Sequence, residues 1–148
     1  MVSSLKNNFD TITKIFNYDL SKNILKEHEQ FDLVIANNVI ANIDDLKDVF
    51  KGILYLLNPN GYFVMETFSL KGIVEKNLID NIYHEHISFF TIETLVNFSK
   101  KFNLYIYLAE HIPVKGGSIR FIFSKNKKNQ NIKSIKSSIN KEKKLFLA

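Results

Sequence analysis

Apolar residues recur along this chain in blocks that predict an ordered series of helices and strands. Tyr18–Gln30 has a weak helical pattern. Phe31–Ala36 is a short apolar run broken only by Asp32, and its length with its valine and isoleucine content predicts a buried strand. The clearest amphipathic helix follows, with apolar residues at helical spacing at Leu46, Val49, Phe50, Ile53, Leu54 and Leu57.

Local signals mark both ends of this second helix. Asp44 can cap its start, because a carboxylate accepts hydrogen bonds from free backbone N–H groups of the first turn. Asn58-Pro59-Asn60-Gly61 is expected to end it, because Pro59 disfavours helical geometry before it and Gly61 admits a positive φ. Tyr62–Glu66 then predicts a second buried strand. A strand, a helix and a strand in this order indicate a right-handed parallel crossover unit.

The remaining pattern predicts a third helix and a terminal pair of strands. Thr67–Ser88 is polar and irregular, and connections of that length are often functional. Thr91–Phe102 has helical spacing. Leu104–Ala109 and Ser118–Phe123 have strand composition, and the proline and two glycines between them favour an antiparallel pair.

Composition narrows the class of protein. The hydrophobic fraction of 45% is typical of a folded chain rather than a disordered one. The absence of cysteine excludes disulfides and thiolate metal sites and favours a cytoplasmic location. Met1–Asp10 lacks the apolar core of a signal peptide, and no apolar run approaches the roughly 20 residues that span a bilayer. We therefore expect no membrane contact.

The net charge of +5 is concentrated at one end of the chain. Residues Lys125–Ala148 hold eight lysines and one acid, Glu142, so this stretch carries +7 and the rest of the chain −2. Such a stretch can bind nucleic acid or an anionic surface, or it can be a solvated tail. We favour the tail, because Phe146 is its single aromatic residue for stacking on bases. A weak helix is expected over Ile132–Leu147.

Three motifs, in addition to the order of the elements, carry a resemblance to a known family. The unit ending in Leu57-Asn58-Pro59-Asn60-Gly61 resembles the later strands, four to seven, of class I methyltransferases that use S-adenosylmethionine. Ala36–Ala41, Tyr83-His84-Glu85-His86 and Gly116–Arg120 are similar to segments of C-methyltransferases acting on nucleotide-linked keto-deoxysugars. The resemblance implies an α/β fold with a partial Rossmann-like sheet, S-adenosylmethionine as cofactor and such a sugar as substrate.

The chain also departs from that family. None of its five glycines forms a glycine-rich cofactor loop, there is no cysteine-rich zinc segment at the start, and Asn42 stands where the family usually has histidine. We therefore expect residues 1–124 to be a partial methyltransferase catalytic domain whose first strands are absent. Residues 125–148 are then a basic tail or the start of a missing C-terminal region. A second chain supplying the N-terminal half, or a non-catalytic remnant, are both consistent with this pattern.

The Tyr83–His86 cluster is the candidate catalytic centre. C-methylation beside a ketone needs a base to remove a proton from carbon, and histidine titrates near neutrality. The resemblance implies His86 as the base, Tyr83 and Glu85 as substrate-facing partners, and His84 as a further member. The alternative is a polar loop before a helix. We favour function, because four consecutive polar, titratable residues are hard to explain by packing.

The resemblance also implies binding residues on either side of this cluster. Ala36, Asn37 and Asn38 would contact the methionine part of the cofactor, at the strand end where open α/β sheets place ligands. Asn42, Gly117 and Ser118 would face the substrate. Plain alternatives exist, since an Asn-Asn pair can simply end a strand and Gly116-Gly117 can form a hairpin turn.

Two further readings concern charged residues near these motifs. On a strand, His84 and His86 would share one face and could hold a metal with Glu66 or His111, but no HExxH pattern exists and we expect no metal. Glu66 could contact a ligand or be solvated. Arg120 could bind a phosphate of the substrate or pair with Glu110 across the hairpin, and we favour the pair.

Overall fold

The hydrophobic blocks of the sequence fold into a mixed β-sheet with helices packed against it. The computed structural model describes residues 10–113 and 117–146. Short 3-10 turns cover Ile40–Asn42, Ile79–Asn81 and Lys127–Asn129. In chain order, the helices and strands are α1 Tyr18–Ile24, β1 Phe31–Asn37, α2 Leu46–Leu56, β2 Leu57–Phe68, α3 Leu70–Glu75, α4 Ile92–Lys100, β3 Tyr105–Ile112, β4 Ser118–Ser124 and α5 Ile132–Phe146.

Within the described residues the sheet has four strands in the order β1-β2-β4-β3. β1 and β2 are parallel, while β4 runs antiparallel to both of its neighbours. The predicted parallel unit and the predicted antiparallel pair are therefore both confirmed. This order leaves β1 at the edge of the sheet, and it brings the start of β4 next to the end of β2.

An aromatic core joins the sheet to α2 and α4. Phe50 of α2 is fully buried and makes edge-to-face contacts with Phe63, Phe98 and Phe123 at centroid distances of 5.8, 5.0 and 6.1 Å. Its neighbours at helical spacing are buried too, so the amphipathic stripe of α2 forms one side of the core. α5 adds Ile135, which is buried in the same cluster.

The opposite face of the sheet is apolar and exposed. Side chains of cross-strand neighbours point to the same side of a sheet. Leu33 is the neighbour of Tyr62, and Ile35 is the neighbour of Val64, so these four side chains share one face. Leu33 is 50% exposed and Ile35 57%, although both lie inside a strand. The ring of Tyr62 lies 6.1 Å from that of Tyr107, which is also exposed. We call Leu33, Ile35, Tyr62 and Tyr107 the bare face.

Two predicted helix boundaries are wrong by a few residues. α1 ends at Ile24 instead of Gln30, because the residues after Leu25 are polar and exposed and form a turn. The cap of α2 is Asp45 rather than Asp44, since the Asp45 carboxylate accepts a hydrogen bond from Asp48 N at 3.0 Å. The predicted helix at Thr91–Phe102 is α4, capped by Thr91 in a reciprocal capping box.

The prediction that Asn58-Pro59-Asn60-Gly61 ends α2 is confirmed, because the helix ends at Leu56 and the chain passes directly into β2. Leu57 caps the helix with an extended ψ of 136° and begins the strand. Gly61 lies within β2 and does not have the positive φ that was expected. It is needed because the backbone of β1 lies very close to it. A Cβ atom there would lie 2.9 Å from the carbonyl oxygen of Phe31.

Residues Thr67–Ser88 are more ordered than the sequence indicates. Thr67 and Phe68 complete β2, and α3 with a 3-10 turn follows. The weak helix predicted from Ile132 is confirmed as α5, with Leu147 outside the described residues. α5 packs against α4 and β3, so much of the basic stretch lies on the sheet domain. The domain boundary at residue 124 stays a prediction.

Candidate functional site

A small cavity opens where β1 and β2 end. Its volume is about 290 Å³. We call it the strand-end pocket, and its lining residues are Asn38, Ala41, Asn42, Phe68, Asn81, Tyr83, His86 and Ser118. They come from the end of β1 and the turn after it, the end of β2, the segment before α4, and the first residue of β4.

Backbone hydrogen bonds bring these segments together. Asn38 has a left-handed φ of 53°, which asparagine tolerates, and its N–H donates to the carbonyl of Glu66 at 2.8 Å. The carbonyl of Ala41 accepts from the N–H groups of Ile87 and Ser88 at 2.9 and 3.0 Å. The segment that carries His86 is thus tied to the turn that follows β1.

The ring of His86 is fixed by one hydrogen bond and two aromatic contacts. Its Nδ1 lies 2.8 Å from the carbonyl oxygen of Asn81. A carbonyl can only accept, so Nδ1 carries the proton and Nε2 of the neutral ring keeps a free lone pair. The rings of Tyr83 and Phe68 lie 4.1 and 4.3 Å from the imidazole centroid. This arrangement gives a histidine with one nitrogen available as a base.

Only two of the four residues of the predicted catalytic cluster line the strand-end pocket. Tyr83 and His86 line the pocket, and His86 N donates to the carbonyl of Tyr83 at 2.9 Å. His84 and Glu85 are exposed and do not line it. The segment is a turn rather than a strand, so the two histidines do not form the shared face considered for a metal.

The predicted binding residues are also divided. Asn38, Asn42 and Ser118 line the pocket, whereas Ala36 and Asn37 do not. Gly117 has a φ of 128°, and its carbonyl accepts from Ser69 N at 3.0 Å, which fixes the start of β4 beside α3. Gly116 lies outside the described residues.

Three lining residues were not predicted as site residues. Phe68 could have been found, because it lies two positions after Glu66 and therefore on the same side of β2. Ala41 belongs to a motif already noted in the sequence. Asn81 contributes its backbone carbonyl, and no residue type marks that role.

Glu66 and Arg120 form an ion pair next to the pocket. Nη2 and Nε of Arg120 lie 2.7 and 3.1 Å from the same carboxylate oxygen. The two residues are partners in the β2–β4 ladder, and the Glu66 side chain is 12% exposed. The predicted Arg120–Glu110 pair is thus wrong, and this error arises because the β2–β4 pairing is non-local. Of the two alternatives left open for Glu66, solvation is excluded, since its carboxylate pairs with Arg120.

The described residues contain neither a metal-binding cluster nor a membrane-spanning helix. In the part of the chain that the structure describes, no three His, Cys, Asp or Glu side chains lie close enough to hold a metal ion. No helix among residues 10–113 and 117–146 combines the length and the apolar character that crossing a membrane requires.

Comparison with known proteins gives one family match and one curated relative. The model of a family described as "Methyltransferase domain" matches residues 5–109. The C-methyltransferase NovU of Streptomyces niveus is 31% identical over 110 residues, which are 74% of this chain and 26% of the relative. The chain therefore spans about a quarter of the length of that relative.

Two solved structures are distantly similar. The PH0226 protein of Pyrococcus horikoshii OT3 gives a TM-score of 0.48 at 19% identity, covering 66% of this chain and 53% of the other. The N-methyltransferase NodS of Bradyrhizobium japonicum WM9 gives 0.46 at 15% identity, covering 65% and 51%. At TM-scores below 0.5 these likenesses are too distant to support a conclusion about function.

Proposed function

This chain belongs to the methyltransferase domain family, and on that premise we propose that it is part of an S-adenosylmethionine-dependent C-methyltransferase with His86 as the base. The observation that carries the proposal is the His86 Nδ1 contact with the carbonyl of Asn81. In the neutral ring that contact places the proton on Nδ1 and leaves Nε2 as the nitrogen that can accept a proton, as proton removal from carbon requires.

The pocket residues have complementary roles in this chemistry. Nε2 of His86 takes a proton from the carbon beside a ketone, and the electrons move onto the carbonyl oxygen to give an enolate. The Tyr83 hydroxyl is a donor for that oxygen, and its ring lies against the imidazole at 4.1 Å. When bound, S-adenosylmethionine supplies the methyl group that the enolate carbon attacks. The flanking rings of Phe68 and Tyr83 limit the rotation of the base.

The described residues fit one side of a cofactor site. The amide side chains of Asn38 and Asn42 line the pocket and can hydrogen-bond to the carboxylate or ammonium group of a methionine moiety. Ala36 and Asn37 precede them on β1 and are proposed to contact the same part of the cofactor. A glycine-rich loop and an acidic partner for the ribose would have to be supplied in addition.

The substrate class is proposed from the sequence motifs. A nucleotide-linked keto-deoxysugar provides the acidic carbon beside a ketone that this base needs. Asn42, Gly117 and Ser118 are proposed to bind it, and the first and last of these line the pocket with His86. Glu85 and His84 are proposed to take part from the exposed side of the turn, with Glu85 oriented toward a sugar hydroxyl.

A second polypeptide segment is proposed to complete this unit. The bare face presents Leu33 and Ile35 at 50% and 57% exposure, and β1 is an unpaired edge in the described sheet. Apolar strand edges of this kind favour pairing or aggregation. The same feature favours the alternative that this chain is a complementing subunit, or a remnant, with no activity by itself.

The test is calorimetric titration of S-adenosylhomocysteine into the full chain, with and without a recombinant N-terminal half of the relative. Binding only in the mixture, weakened about tenfold by Asn38→Ala but not by Asn60→Ala on exposed β2, would support the proposal. Binding by the chain alone would refute the need for a second segment. No binding in either case would support the remnant.

A further inference from the structure

A larger and chemically different cleft lies at the other end of the sheet. It has a volume of about 750 Å³ and lies between α4 and α5, beside the first residue of β3. The strand-end pocket includes Ser118 at the start of β4, whereas this cleft includes Lys127 and Gln130 beyond its end. The six steps from Ser118 to Ser124 span roughly 20 Å. The two cavities are therefore separate.

Lysines from three elements converge on this cleft, which we call the basic cleft. Lys100 ends α4, Lys127 lies in a 3-10 turn and Lys136 lies on α5, and all three line the cleft. None of the three has a carboxylate within 4.0 Å in the part of the chain that the structure describes. The acid that lines the cleft, Glu93, pairs with Lys143 at 2.7 Å. The cleft therefore holds uncompensated positive charge.

The rest of the lining is apolar and amide-bearing. Ile135 is buried at its base, and Tyr105 lies where β3 begins. Asn97, Gln130 and Asn140 add side-chain amides that both donate and accept hydrogen bonds. Small-molecule sites commonly have about 300–1,000 Å³ with an apolar base and a few convergent polar groups, which matches this cleft.

We propose that the basic cleft binds an organic phosphate of nucleotide size, with the phosphates at Lys100, Lys127 and Lys136 and a planar group against Tyr105. Ammonium groups form strong charge-assisted hydrogen bonds with phosphate oxygens. A bounded cleft with an apolar base fits a small molecule better than an extended nucleic acid, which would need a groove with several aromatic residues. The site is independent of methyl transfer and of His86.

The test is titration of the full chain with ADP at 50 and 150 mM NaCl, compared with pyrophosphate and with adenosine. Wild type is expected to bind ADP saturably at both salt concentrations, and more tightly than either part. The double variant Lys127→Gln, Lys136→Gln is expected to lose at least about tenfold in affinity, because it lacks two charge-assisted contacts.

The matched control is Lys128→Gln, Lys133→Gln, which removes the same charge from the same turn and helix but outside the cleft. It should keep the wild-type affinity. Equal weakening by both double variants would overturn the proposal in favour of diffuse attraction to the basic stretch. Absence of ADP binding at 150 mM NaCl, or pyrophosphate binding as tightly as ADP, would overturn it as well.

Discussion

At the scale of single residues, the chemistry that we propose for the strand-end pocket depends on one nitrogen of His86, Nε2. The carbonyl of Asn81 holds the proton on Nδ1, and a backbone carbonyl cannot be removed by a side-chain substitution. Residues that act through such contacts are invisible in a sequence, because any residue type can supply the carbonyl. The histidine itself was predictable, since it belongs to a run of four titratable residues with no packing explanation.

Replacing the proposed base, His86, should abolish most proton transfer from the substrate carbon. His86→Gln keeps a polar side chain of similar reach but offers no base, and we expect methyl transfer in the completed enzyme to fall about 10²–10⁴-fold. Exchange of the substrate's acidic C–H in D₂O should fall in parallel, measured by NMR without cofactor. His28→Gln, at an exposed position outside the pocket, is the control. Undiminished exchange in His86→Gln would assign the base elsewhere.

Gly61 is required by the close approach of two strands. A Cβ there would meet the carbonyl oxygens of Phe31 and Asp32 at 2.9 and 3.1 Å, and backbone atoms cannot move aside as a side chain can. We expect Gly61→Ala to lower the free energy of unfolding by about 1–3 kcal/mol, read from urea denaturation.

Gly52→Ala is the matched comparison for that substitution. Its Cβ would meet the Phe16 ring at 3.1 Å and the carbonyl of Asn17 at 3.2 Å, but alanine improves the helix propensity of α2 by up to about 1 kcal/mol. The two effects oppose each other, so we expect stability within about 1 kcal/mol of wild type. Equal losses in both variants would contradict the expectation that helix propensity offsets the close contacts at Gly52.

At the scale of elements, α5 is attached to the domain through a buried carboxylate. Glu142 is 3% exposed, and its Oε2 accepts a hydrogen bond from Ile92 N at 2.8 Å, at the start of α4. Among the residues that the structure describes, none forms a hydrogen bond with its Oε1. Burial raises the pKa of Glu142 above its ordinary value, while the Ile92 N–H and Lys71 oppose that shift and Glu93 adds to it.

The raised pKa predicts a pH-dependent stability. The folded chain holds the Glu142 proton to a higher pH than the unfolded chain, so the free energy of unfolding falls as pH rises from 4.5 through the raised value. Glu142→Gln removes this slope. We expect the stability of the variant, relative to wild type, to increase between pH 5 and 7 in urea titrations. A stability difference between the variant and wild type that does not change with pH would contradict the assignment.

Most elements could be predicted from the sequence, because their apolar spacing is strong. α2 follows directly from such spacing, and β1 follows from a short continuous apolar run. The choice between Asp44 and Asp45 as cap could not be predicted, since it depends on which of two adjacent aspartates takes the non-helical conformation. The Glu66–Arg120 pair was missed for another reason, because the register between β2 and β4 joins residues 54 positions apart.

At the scale of the whole molecule, the bare face is the main unsatisfied surface of the described sheet. Its apolar residues lie opposite the aromatic core, so the sheet has one covered and one uncovered side. The apolar runs at β1 and β2 predicted buried strands, but β1 has no fully buried residue and β2 is buried along one face only. The proposal that a second polypeptide segment completes this unit can therefore be tested on the bare face.

The bare face should drive self-association of the isolated chain. We expect concentration-dependent oligomers in sedimentation velocity, and Ile35→Lys should shift them toward monomer by placing a charge in the middle of the face. Val74→Lys, at a similarly exposed apolar position on α3, is the control and should change little. A wild-type chain that stays monomeric at every concentration would argue against this face as an interaction surface.

The strand order also has a consequence for synthesis on the ribosome. β3 is made before β4, yet β4 is the strand to which β3 is hydrogen-bonded in the sheet. The twelve residues from 113 to the end of β4 at Ser124 take about 0.6–2.4 s to translate at roughly 5–20 residues per second. During that interval the nascent chain can form its parallel unit, while β3 waits unpaired. β4 is therefore inserted between β2 and β3, both of which have already been synthesised.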